Sequence, residues 1–172
     1  MLVYLLFLLG LQPIAPHLFD VPEHGRLRMV VPPLWKVVSK AMKTPPAATV
    51  HMQPSIGDAF DLQLTTIWLD PARKAKMTPD VVKANVRRSG ETLLKEAENK
   101  SLIIDDLKGE DVAGYYFTLA DSNPKPGEFR YVTQGTFVTG DLMTAFTFLH
   151  RLPDPEDLEQ VLRMLGGARQ VP

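Results

Sequence analysis

Four histidines, His17, His24, His51 and His150, are the side chains best suited to bind a metal or move a proton near neutral pH. They are widely spaced and form no HxH, HxxxH or HExxH pattern. A sheet that brought His51 and His150 together would make two ligands of a site; otherwise they read as exposed or strand-end imidazoles. Among possible nucleophiles, Ser39, Ser55, Ser89, Ser101 and Ser122 occupy neither a GxSxG elbow nor an SxxK pair. Phosphate-cradling GxGxxG and GxxxxGK[ST] loops are absent. The acidic pairs Asp105-Asp106 and Glu110-Asp111 flank a turn. Neighbours on a strand point to opposite faces, so these read as solvated turn carboxylates and not as an acid–base pair. The chain has no Cys, which excludes disulfides, thiolate nucleophiles, iron–sulfur clusters and an acylated lipoprotein start. The sequence therefore names no catalytic residue, no cofactor and no metal ligand set.

Residues suited to docking are easier to find. Between Arg73 and Arg88 stand Arg73, Lys74, Lys76, Lys83, Arg87 and Arg88 against Asp80 alone. Such a patch could meet anionic lipid, nucleic acid or an acidic partner; a solvated loop and helix face would look the same. Trp35 follows Pro32-Pro33 near what reads as a sheet edge. An aromatic with a polar handle at such a place is a candidate for contact with a partner. The candidate partner-binding residues are thus Trp35, Arg73, Lys74, Lys76, Arg87 and Arg88.

Over the 172 residues, 19 Lys+Arg balance 20 Asp+Glu, and 45% of residues are hydrophobic. This is the composition of an ordinary globular chain and excludes a disordered chain or a strongly basic nucleic-acid binder. One stretch departs from the balance: the first charged side chain is Asp20. Met1 to Leu11 is apolar apart from Gly10. That is too short for a membrane-spanning helix of about 20 residues but fits the ~7–15-residue core of a secretory signal. Residues 1–15 are accordingly expected to be a signal peptide, although no Lys or Arg precedes the apolar run and Pro13 and Pro16 flank the cut. The alternative is a buried first strand or helix in a cytoplasmic protein.

The elements that would position these residues begin with an extended lead-in, 16–26, followed by one domain over 27–167 and a tail, 168–172. More than half of the 15 prolines lie at or before Pro54, and the short strands between them read as sheet edges. Leu34–Met42 is ambiguous between strand and helical turn, and Thr49–Gln53 is a short strand. Phe60–Leu69 alternates cleanly, with Phe60, Leu62, Leu64, Thr66 and Trp68 on one face and Asp61, Gln63 and Thr65 on the other. Thr78-Pro79 caps a helix expected to reach about Asn99, with Val82, Val86, Leu93, Leu94 and Ala97 as its seam. Arg87–Glu91 and Glu91–Lys95 are spaced as ion pairs along it. Leu102–Leu107, Gly114–Ala120, Glu128–Thr139 and Leu142–His150 read as strands, the last two joined by a Gly140-Asp141 hairpin turn. A final helix is expected after an Asp154 cap, with Leu158, Val161, Leu162 and Leu165 inward. The last strands are apolar on both faces, so the fold class is α+β, an antiparallel sheet between helices.

This order resembles the PsbP/DcrB-like group. VVPPLWKV (Val30–Val37) resembles its opening strand with P-x-x-W, and FDLQLTTIW (Phe60–Trp68) with the Thr78-capped helix resembles its central strand and crossover. GYYFTLAD (Gly114–Asp121), FRYVTQGTFV (Phe129–Val138) and LMTAFTFLH (Leu142–His150) resemble its closing meander. The resemblance implies an α/β/α sandwich and an exported or lumenal accessory protein without catalytic activity. Here that means a periplasmic or secreted protein docking on a protein partner in the cell envelope, with no nucleic acid involved. The alternative is a small-ligand binder or enzyme with a pocket between the sheet and the long helix.

Overall fold

A computed structural model describes residues 15–153 and 155–172. Among these residues ten strands form two antiparallel sheets. The larger has seven strands in the order β3-β4-β5-β9-β8-β7-β6: β3 (Trp35–Lys43), β4 (Pro46–Pro54), β5 (Phe60–Trp68), β6 (Asp105–Lys108), β7 (Ala113–Ala120), β8 (Tyr131–Thr139) and β9 (Leu142–His150). The smaller has the order β1-β2-β10, from β1 (His17–Asp20), β2 (Arg26–Met29) and β10 (Arg169–Val171). The described residues also form three α-helices, α1 (Pro71–Lys76), α2 (Pro79–Leu93) and α3 (Pro155–Gly166), and a 3₁₀ turn at Leu94–Glu96.

The alternation read in Phe60–Trp68 sets the layers. Phe60, Leu62 and Leu64 turn to one side with Val50 and Met52 of β4, Phe146 and Phe148 of β9, and Phe137 of β8. This core is closed by the small sheet (Phe19, Leu27, Met29) and by Val161, Met164 and Leu165 of α3. Burial of such side chains contributes roughly 1.5–3 kcal/mol each. Two polar pairs lie within the ladders, Thr66–Thr144 at 2.9 Å and Thr118–Thr133 at 2.8 Å, each satisfying its partner's hydroxyl. The opposite face is covered over β7 and β8 by α2, where Val86 meets Phe117 and Leu119. Gly90 lets α2 approach closely, because a Cβ there would press on Leu102 and Phe117.

Several expectations are corrected. The lead-in 16–26 carries β1 and the start of β2, and the tail 168–172 carries β10; both strands pair with β2, so Leu27–Val31 holds the centre of a sheet and not an edge. The second cover is therefore α3 together with a three-stranded sheet. Leu34–Met42 is strand, and it is the edge; Thr49–Gln53 grows to the nine residues of β4. The long helix ends at Leu93, short of Asn99, and a separate one-and-a-half-turn helix, α1, follows β5 with Asp70 accepting from the Arg73 N–H at 2.8 Å. Among the described residues neither Arg87–Glu91 nor Glu91–Lys95 forms an ion pair. The expected Asp154 cap and the charge-free start through residue 14 lie outside the described residues.

Candidate functional site

Because α2 spans only β7 and β8, the described residues leave much of the same face of β3, β4, β5 and β9 uncovered, although Ala47 of β4 is buried at its Ile67 end. Lys36, Val38 and Lys40 from β3, Gln63 and Thr65 from β5, and Ala145 from β9 are exposed there, and Thr49 and His51 from β4 are half-buried. Strand alternation carries them all to one side, since each faces away from the core partner beside it in sequence. Val38, at 68% exposure, is the one large apolar side chain on this part of β3 in open solvent. A shallow recess of about 240 Å³ runs between Val38, Lys40, Thr49, His51, Gln63 and Thr65.

The chemistry at its centre is occupied by internal bonds. His51 Nε2 lies 2.7 Å from Asp61 Oδ2, which also accepts from Gln53 Nε2 at 3.1 Å; Gln63 Nε2 donates to Oδ1 at 3.4 Å. Asp61 retains only 14% side-chain exposure. A carboxylate so tied holds neighbouring side chains in place and presents a polar, fixed surface. His150 lies on the opposite face, buried at 4% exposure, stacked on Phe148 and Tyr131, with Nδ1 2.7 Å from the Leu152 carbonyl. The sheet therefore separates His51 and His150, and no group of three His, Asp or Glu able to hold a metal occurs among the described residues.

The six sequence-derived candidates are not brought to one place. Trp35 sits at the Phe60 end of the sheet, its ring 4.7 Å from that of Phe60, half-buried against the core. Arg73, Lys74 and Lys76 lie on α1, beyond Trp68, at the other end of β5. Arg73 pairs with Asp70 at 3.3 Å, and Lys74 with Asp141 at 2.5 Å in the β8–β9 turn, so one carboxylate next to the patch and one distant in sequence neutralise part of it. Arg87 and Arg88 are exposed on α2, while Lys83 stands 5.1 Å over the Tyr115 ring. The sequence reading missed Lys36, Val38 and Lys40; the signal was present in the alternation of WKVVSKAMK, hidden by its strand-or-helix ambiguity.

Between the sheet and α2, where a ligand pocket was the alternative, there is a recess of about 410 Å³ lined by Met77, Pro79, Val82, Tyr115 and Val138. Its two carboxylates, Glu110 and Asp111, both pair with Arg169 of β10. A larger recess, about 730 Å³, lies between α3 and Val30–Pro33, lined by apolar Val30, Val31 and Met164 and by charged Glu156, Glu159 and Arg163. Among the described residues no helix is long and apolar enough to cross a membrane.

No protein-family model and no curated protein matches the sequence. Among solved structures, the chain is similar to the solution structure of the cyanobacterial PsbP of Synechocystis sp. PCC 6803. The similarity has a TM-score of 0.56 at 10% identity and covers 94% of this chain and 96% of that one. The chain has a PsbP-like fold.

Proposed function

We propose that this chain is an exported accessory protein of the cell envelope, without catalytic activity, that docks on a larger protein through the open half of its main sheet. The observation that carries the reading is the uncovered face of β3, β4, β5 and β9, polar and fixed by the Asp61 bonds, with exposed Val38 at its margin. Protein interfaces bury apolar side chains within a polar rim, and Val38 between Lys36 and Lys40 offers one such side chain. The basic residues of α1 and α2 supply a second, electrostatic contact that speeds encounter with an acidic partner. Export is supported by the charge-free start, and β1 begins at His17, just beyond the expected cut after Ala15.

Recovery of partners from the chain's own envelope fraction tests this. Thr65→Arg with Ala145→Arg places two bulky cations on adjacent strands of the face, at cross-strand partners. The expected result is a partner retained by the wild type and lost by this variant while it stays folded at the assay temperature, the opposed cations costing at most about 1 kcal/mol. Equal recovery by both proteins, or no partner at all, overturns the docking role. Mass spectrometry of the chain isolated from that fraction is expected to find a start near Pro16; a cytoplasmic chain retaining Met1 overturns the export reading.

A further inference from the structure

β3 ends the seven-stranded sheet, so β4 is its only ladder partner among the described strands. It is nine residues long and six of them are exposed, more than in any other strand. An antiparallel edge strand bonds its inner neighbour through alternate residues, which leaves about four residues of β3 with N–H and C=O directed outward. Free edges of this length pair with other chains unless proline or a bulge breaks the ladder or a charge repels the incoming strand. Within Trp35–Lys43 there is no proline, and the charges are all positive: Lys36, Lys40 and Lys43. None of the three forms an ion pair among the described residues.

These lysines select the occupant. A second copy paired edge to edge would bring three lysines from each strand into one seam, and like charges across a ladder repel. On the open face Lys36 and Lys40 flank Val38, and the carboxylate nearby on that face, Asp61, is already held by His51, Gln53 and Gln63. Asp20 and Glu23 line a recess with Ala41, whose side chain belongs to the opposite face. The unanswered charge is therefore on the same side as the exposed apolar residue. We infer that β3 accepts an extended acidic segment of the docking partner as an eighth strand, with acidic, apolar and acidic side chains opposite Lys36, Val38 and Lys40. The inference rests on the docking role proposed above and specifies what docks.

The probe is a short fluorescent threonine peptide carrying Glu, Val and Glu at alternate positions, with a control in which Lys replaces Glu. Titrated into the full chain, the Glu peptide is expected to bind and the Lys peptide to bind at least about tenfold more weakly. Lys36→Glu with Lys40→Glu is expected to reverse that preference, and backbone amide shifts are expected in β3 and β4. N-methylation of alternate peptide amides should abolish binding, because the outward ladder loses its donors. Equal binding of the two peptides, no binding at millimolar concentration, or shifts centred on α1 or on the α3 recess overturns the inference. If neither peptide binds while Thr65→Arg/Ala145→Arg still loses the envelope partner, docking stands and strand addition falls. If no envelope partner is recovered, the docking role itself falls.

Discussion

At the scale of single residues, burial and partner decide what a side chain does, and residue type alone does not. Tyr116 and Tyr115 are adjacent aromatics on β7, yet one faces the main core and the other the α2 side. Burial, with Asp105 opposite it across the ladder, pushes the Tyr116 hydroxyl above its ordinary value near 10. The unfolded chain then releases that proton at lower pH than the folded one. The stability this contributes is whole below about pH 10 and is lost as pH rises through the folded value. Urea midpoints measured from neutral to strongly alkaline pH should fall more steeply for the wild type than for Tyr116→Phe; parallel curves would assign the alkaline loss to other groups. Arg169 shows the same dependence on partners. In the sequence it is one cation in a tail, and in the structure it ties Glu110 and Asp111 of the β6–β7 turn to β10.

At the scale of elements, strand position separates packing from docking. Trp35 and Val38 stand three residues apart on β3, so they lie on opposite faces. Trp35 covers Phe60, whereas Val38 touches open solvent. Trp35→Ala is expected to cost about 2–4 kcal/mol, toward the lower part of the range for large aromatic truncations because the ring is only half-buried. Val38→Arg is expected to change stability by less than about 0.5 kcal/mol. Paired denaturant titrations check this contrast, and a small loss for Trp35→Ala would return Trp35 to the list of contact residues. The alternation of β5 was legible because nine residues give a period-2 pattern room to show. The α1 helix was not, because six residues, three of them basic and none buried, carry no apolar seam. The same ambiguity hid β3, whose buried side is short and whose exposed side mixes Lys with Val.

At the scale of the whole molecule, the first and last described strands, β1 and β10, both pair with β2. β10 pairs Arg169 to Val171 against Arg28 to Arg26, and the Arg26 guanidinium donates to the Pro172 carbonyl at 2.9 and 2.5 Å. Truncation after Gly167 removes this strand, the Arg169 ion pairs and the fully buried Ala168. It is expected to lower the melting temperature by several degrees and to speed amide exchange in β2 before that in β5. Unchanged exchange in β2 would show that β1 alone holds it. The sequence by itself determined the α+β class, the Gly140-Asp141 hairpin, the inward seam of α3 and the parity of β5, because each rests on local turn chemistry or a short-range period. Tertiary structure alone decided that lead-in and tail carry strands of one sheet, that His51 and His150 face apart, and that α2 packs chiefly on β7 and β8 among the described strands of the main sheet. Strands of three or four residues carry no readable period, and the partner of β10 lies more than a hundred residues away along the chain. Which face a helix covers depends on where the chain crosses, and that is settled only when all seven strands are in register.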